Sequence, residues 1–199
     1  MKHSDHDREK TGLCYWKQFL NGEDEAYSCL FNLYSDILFH YGMKFTHDEH
    51  VVKDCIQELF IKLYRSRNAL PVVENVTFFL LKSMKNKVID YLRTNERLVY
   101  VSPDELPFFV HYSFNPEEDH SGIDAENKEK LERVLNHLTD RQKEALYLHY
   151  QMDMSYEVIA QLLQINYQSV LNLIQRSLRK IRKEMGLSTF ILLFVKNII

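Results

Sequence analysis

The sequence predicts an all-α protein made of two small helical domains, and three observations lead there. Apolar residues recur at intervals of three and four through most of the chain. No run alternates cleanly enough to be a strand. An acidic, proline-containing stretch breaks the periodicity near the middle, where three of the four prolines (Pro103, Pro107, Pro116) lie between Val101 and Glu117. A length of 199 residues accommodates two modules. With 45% hydrophobic and 13% aromatic residues, the chain has enough apolar surface to give each a core.

Taken in order, residues 1–93 are expected to form a helical bundle. Leu30, Leu33, Tyr34, Ile37 and Tyr41 mark one amphipathic helix, Val52, Ile56, Leu59 and Leu63 a second, and Leu81, Met84, Val88 and Leu92 a third. Residues 94–123 read as a linker. Residues 124–186 read as a second domain, opened by a charged helix, Asp124 to Leu138, with Leu131, Val134 and Leu135 on one face. Thr139 or Asp140 can cap the next helix, Arg141 to Tyr150, and Ser155 the one after, with Glu144 and Glu157 as acids suited to helix N-termini. Gly186 is a natural C-cap. Nine of the thirteen residues of the tail 187–199 are apolar, so that tail should be covered, most simply by the protein's own C-terminal domain.

Charge is unevenly placed although the net value is only −3. From Leu98 to Asn127 there are seven acids and no Lys or Arg, whereas Arg176, Arg179, Lys180, Arg182 and Lys183 crowd one stretch. Cys14, Cys29 and Cys55 are odd in number and form no C-x-x-C pair, which argues against a disulfide framework or zinc site and suggests reduced core thiols in a cytoplasm. Met1 to Lys10 lacks the apolar core of a signal peptide, and no segment is long enough for stable membrane insertion. His47 and His50, or His3 and His6, lack a second ligand pair at fixed spacing, so they read as surface residues. Glu117 and Glu118 have no candidate nucleophile nearby, and the five glycines are too isolated for a phosphate loop. Neither a cofactor nor a catalytic site is expected.

Ser155 to Lys183, SYEVIAQLLQINYQSVLNLIQRSLRKIRK, reads as a helix-turn-helix: a short helix, a break around Gln164 to Asn166, then a longer helix with a basic end. Ala160 is small where the helices must cross, and Ile159, Leu163, Ile165, Val170 and Leu173 supply the seam between them. Asn166, Tyr167, Gln168, Ser169 and Asn172 are left outward at the start of the second helix, where such helices meet base edges. The turn must accept the side chain of Gln164, at a cost of about 1 kcal/mol if its φ is positive.

Leu138 to Met185 resembles the region-four domain of extracytoplasmic-function (ECF) sigma factors, with its Leu-x-x-Arg-Gln opening and Ser-Tyr helix. Response-regulator output domains carry a similar helix-turn-helix. The N-terminal half is more specific: Asp54 to Tyr64, DCIQELFIKLY, and Phe78 to Arg93, FFLLKSMKNKVIDYLR, resemble two successive region-two helices of the same family. The resemblance implies a factor that binds core RNA polymerase and promoter DNA, with an anti-sigma factor or an additional recruiting protein as further partners. It implies that Asp54, Gln57, Glu58 and Lys62 dock on the polymerase. The loop from Arg65 to Thr77 would hold a flipped base of the minus-ten element, with Asn68, Asn75 and Thr77 as hydrogen-bonding residues. Phe78, Lys82, Lys85, Asn86 and Arg93 would contact the same element, with at least one of Phe78 and Phe79 expected to be core instead. Asn166, Tyr167, Gln168, Ser169 and Asn172 would read upstream DNA, anchored to phosphates by Arg176, Arg179 and Lys180. The acidic linker would run through a polymerase channel. A stand-alone helix-turn-helix regulator is the alternative, and it would bind duplex DNA without polymerase.

Overall fold

The computed structural model describes residues 5–95, 107–109, 130 and 133–185. Every regular element among them is helical. The chain divides into two compact units, Met1–Pro107 and Phe108–Ile199.

The first unit contains α1 (Asp5–Leu20), α2 (Asp24–Gly42), α3 (Glu49–Arg65), a 3-10 turn (Arg67–Ala69) and α4 (Val76–Asn95). The expected stripes on α3 and α4 are buried without exception, and Leu30, Tyr34 and Tyr41 are buried on α2. Leu33 and Ile37 are only half-buried, because Leu38 is the α2 residue that reaches the core at that level. α1 has no counterpart among the expected helices. It contributes Gly12, Trp16 and Phe19 to the interior at helical spacing. The chain turns from α1 into α2 at Gly22, whose φ of 101° suits a residue without a Cβ. Gly12 is required for a different reason: a Cβ there would collide with the Tyr34 hydroxyl, so α1 and α2 meet only with a glycine at this point. Asp48 starts α3 by accepting from the amides of His50 (2.9 Å) and Val51 (3.4 Å).

Of the three thiols only Cys55 is buried, and burial pushes it up to about 11. Cys14 is exposed and Cys29 half-buried, so the expectation of three core thiols fails for those two.

The second unit contains α5 (Asp140–Tyr150), α6 (Tyr156–Leu163) and α7 (Tyr167–Met185), preceded by helical residues 133–136 that bury Val134 and Leu135. Leu131 lies outside the described residues, as do the expected linker apart from residues 94–95 and 107–109, and the tail 187–199. Thr139 and Gln142 form a reciprocal capping box at the start of α5. Ser155 caps α6 by accepting from the Val158 amide at 3.4 Å. Glu157 sits in the first turn of α6, where hydrogen bonds from its own amide and from Ser155 hold its carboxyl below the usual range. Glu144 is buried in α5 instead of standing at its N-terminus. Phe108, within the expected linker, is fully buried and meets Tyr147 edge-on at 5.7 Å. Burial pushes the Tyr147 phenol up to about 12.

Candidate protein and nucleic-acid interfaces

α3 buries Val52, Cys55, Ile56, Leu59, Phe60 and Leu63, and the 3.6-residue period turns Asp54, Gln57, Glu58 and Lys62 outward as one exposed face. Ile61 lies in the middle of that face and is 46% exposed. Reading only the polar residues missed it. An apolar side chain held in water among polar ones is the kind of residue a partner protein covers. Glu58 is engaged within the unit, through an ion pair with Lys87 of α4.

The segment between α3 and α4 is held by side chains from other elements. Arg67 pairs with Asp24 and lies 4.8 Å from the ring centroids of both Phe19 and Tyr64. The hydrogen bond from this guanidinium holds the Asp24 carboxyl below the usual range. The Trp16 indole donates to the Pro71 carbonyl at 3.1 Å. At the start of α4, Asn75 Oδ1 accepts from the Phe78 amide at 2.6 Å. Glu9 of α1 accepts from the Val76 amide (2.6 Å), the Thr77 amide (3.2 Å) and the Thr77 hydroxyl (2.5 Å). Asn75 and Thr77, expected to present free polar groups to a base, are therefore bound within the protein at the first turn of α4. Asn68 is exposed.

Along α4, Lys82, Asn86 and Arg93 are exposed and Phe78 is half-buried, with Lys82 Nζ 5.6 Å from the Phe78 ring centroid. Phe79 packs edge-on against Trp16 at 5.1 Å but is half-buried like Phe78, so neither of the two is a fully buried core residue. Lys85 departs from expectation: it is 7% exposed, with its ammonium 5.6 Å from the Phe45 ring centroid. The residue lies on the inner side of α4 next to Met84 and Val88, both fully buried. Burial of this degree leaves little of the Lys85 side chain facing solvent.

In the second unit, α6 ends on Gln164 with φ 54° and ψ 42°, a left-handed residue whose amide closes back on Ala160 and Gln161. Arg141 of α5 donates to the Leu163 carbonyl at 2.8 Å, satisfying another group at the same helix end. Ile159, Ala160, Leu163 and Val170 are buried at the crossing, while Ile165 and Leu173 are half-buried. Ile174 and Ile181 complete the inner face of α7, and Ser177 turns its hydroxyl onto the Leu173 carbonyl at 2.7 Å.

On the outer side of α7, Asn166, Tyr167, Gln168 and Asn172 are exposed and Ser169 is half-buried. Asn166 Oδ1 accepts from the Ser169 amide at 2.7 Å, so this oxygen caps α7. Gln168 donates to Asn172 one turn on, at 3.3 Å. Gln175 is a fourth exposed amide, absent from the expected set; its place between Asn172 and Arg179 was legible from the helical period. Arg176 and Arg179 are exposed, whereas Lys180 reaches the His137 carbonyl at 2.5 Å. Among the described residues no group of three metal-ligating side chains exists and no helix is long and apolar enough to cross a membrane.

Comparison with known proteins matches residues 30–98 to the family Sigma-70 region 2 and residues 128–181 to the family Sigma-70, region 4. The chain is 26% identical over 145 residues to the ECF RNA polymerase sigma factor SigM of Bacillus subtilis (strain 168), covering 71% of this chain and 86% of that protein. Its fold is similar to that of CnrH, solved in complex with the cytosolic domain of CnrY, with TM-score 0.58, 18% identity, and 87% of this chain and 96% of that one covered. A second similar structure is the sigma factor RpoE in complex with the anti-sigma factor NepR from Bartonella quintana, with TM-score 0.56, 15% identity, and 81% and 98% covered. α1 and the polar residues before it precede both matched ranges.

Proposed function

Given that the chain belongs to the ECF RNA polymerase sigma factor family, and so serves as a transcription initiation factor that binds core polymerase and promoter DNA, we propose how its residues divide that work. α3 docks on core polymerase through Asp54, Gln57, Glu58 and Lys62, with Ile61 as the apolar centre of the contact. The segment after α3, with Asn68, and the outer side of α4, with Phe78, Lys82, Asn86 and Arg93, take the minus-ten element. Asn75 and Thr77 shape that segment from beneath, and Lys85 supports α4 from within. Tyr167, Gln168, Ser169, Asn172 and Gln175 face upstream duplex DNA, and Arg176 and Arg179 anchor them to phosphates. Residues 1–93 and 124–186 are the working modules, joined by the acidic 94–123. The factor acts in the cytoplasm, where polymerase is. Its likeness to RpoE, solved with an anti-sigma factor, supports an anti-sigma factor as a further partner.

One observation carries this division, the contrast between two exposed helix faces. The α3 face mixes acid, amide, lysine and an exposed isoleucine, a composition suited to a protein partner. The α7 face presents amides and then cations, and its first acid is Glu184. A negatively charged duplex tolerates the second face and not the first. Run-off transcription with core polymerase on a mapped promoter tests the reading. Asp54→Lys is the cleaner probe because Glu58 also pairs with Lys87. It is expected to weaken core binding by about tenfold or more, as loss of a central interface residue does. Full core affinity in Asp54→Lys and Ile61→Asp, or duplex recognition that needs no polymerase, would overturn it.

A further inference from the structure

The N-terminal helix α1 packs on α2 and α4, and it also meets the 3-10 turn in the segment joining α3 to α4. Near the start of that segment, Arg67 pairs with Asp24 at the α1–α2 corner and lies over Phe19 of α1. In its middle, the Pro71 carbonyl receives the Trp16 indole. At its end, the Glu9 carboxylate takes the amides of Val76 and Thr77 and the Thr77 hydroxyl, while Asn75 takes the Phe78 amide. Between them Glu9 and Asn75 satisfy three orphan donors of the first turn of α4, and an anion at that end of the helix also meets its dipole favourably. Glu9 and Val76 are 67 residues apart in sequence. The arrangement is therefore tertiary, not a local cap.

We propose that α1 is the positioning element of the minus-ten pocket, with Glu9 and Trp16 as positioning residues that hold segment 66–77 in the shape that receives an extruded base. The proposal rests on the assignment of that segment to the minus-ten element. Extruding a base costs a few kcal/mol of stacking and pairing, so the pocket must be preformed to recover it. A segment tethered at its beginning, middle and end is preformed, and one released at Glu9 or Trp16 must be ordered when DNA arrives. Glu9 is a peripheral, half-buried residue, so its removal opens no cavity in the core and leaves the polymerase-facing side of α3 untouched. Tyr34 stands behind the same junction, its buried phenol raised above the usual tyrosine range by burial and then by the neighbouring Glu9 charge.

The test uses holoenzyme made with full-length protein and a fork-junction promoter probe in which each unpaired minus-ten position is made abasic in turn. Wild-type holoenzyme should prefer the intact base at one position over the abasic probe. Glu9→Ala and Trp16→Phe should each shrink that preference about fivefold, the scale of a lost charge-assisted or buried hydrogen bond, with Glu9→Gln intermediate. Affinity for core polymerase and for upstream duplex should not change. Trp16→Phe keeps an aromatic ring against Phe79 and removes only the indole donor, so it decides the matter should Glu9→Ala fail to fold. Undiminished preference in both variants, while Asn68→Ala or Lys82→Ala reduces it, would overturn the role of α1 and leave the minus-ten assignment standing. Absence of any base preference in the wild type would remove the assignment itself, and the proposal with it.

Discussion

Lys85 brings a formally charged group into the first bundle, and its surroundings decide what it does. It is buried on the side of α4 that carries Met84 and Val88, and its ammonium approaches the face of Phe45. Lys85→Ala is therefore expected to cost about 1–3 kcal/mol of stability through lost packing. It should leave the salt dependence of promoter binding unaltered. Urea denaturation and a salt titration of holoenzyme binding separate the two effects, and a shallower salt slope would return Lys85 to the DNA-facing set. In the sequence KSMKNKV, Lys85 and Lys87 look alike and carry no sign of which faces inward. The period that correctly buries Met84 and Val88 places Lys85 beside them, but lysine chemistry argues for the surface, and here packing prevailed. Gln164 was legible in part. Its φ is left-handed, the condition under which a side chain at this turn carries a cost; the sequence pattern located the break around Gln164 to Asn166 but did not fix that φ.

At the scale of elements, the inner stripes of α3 and α4 were legible because every third or fourth residue is apolar, whereas α1 was not, since it buries few residues and opens with charged ones. The tethering of segment 66–77 left even less trace. Glu9, Trp16 and Asp24 reach it from far along the chain, and no spacing rule links them. One tether has a pH signature. The folded Asp24 carboxyl, hydrogen-bonded by Arg67, titrates below its unfolded value of about 3.9. Its contribution to stability is thus complete above that value and is lost as pH falls through the lower, folded value. Asp24→Asn should be less stable than wild type at pH 6, and the gap should close as pH falls below about 4. Denaturation at pH 6, 4 and 3 measures this; a gap that stays constant would show that the pair does not depend on the carboxylate charge.

Across the molecule, the small net charge conceals a division of labour. The described part of the first unit mixes acids and bases along α3, and the second concentrates cations towards the end of α7. Arg176→Ala and Arg179→Ala should each lower the salt slope of holoenzyme binding to promoter DNA by about one, evenly across promoter sequences and without loss of core affinity. Lys180→Ala should do less to that slope and more to stability, because its ammonium is bonded to the His137 carbonyl. A change in base preference for Arg179→Ala would instead place that side chain in the groove. The cluster of cations was plain in the sequence. Which of them is committed to a carbonyl 43 residues away could not be, because that bond depends on how the preceding helical turn packs beside α7.

The single tryptophan of the chain is also the residue bonded to Pro71 in the segment assigned to the minus-ten element. Indole emission responds to the polarity and hydrogen bonding around the ring, so the free protein carries an unlabelled optical reporter of that segment. A single-stranded minus-ten oligonucleotide that pulls the segment off Trp16 would shift the emission spectrum, and one that settles into the existing shape would not. Stopped-flow mixing could then time the capture of a base without any dye attached to either molecule.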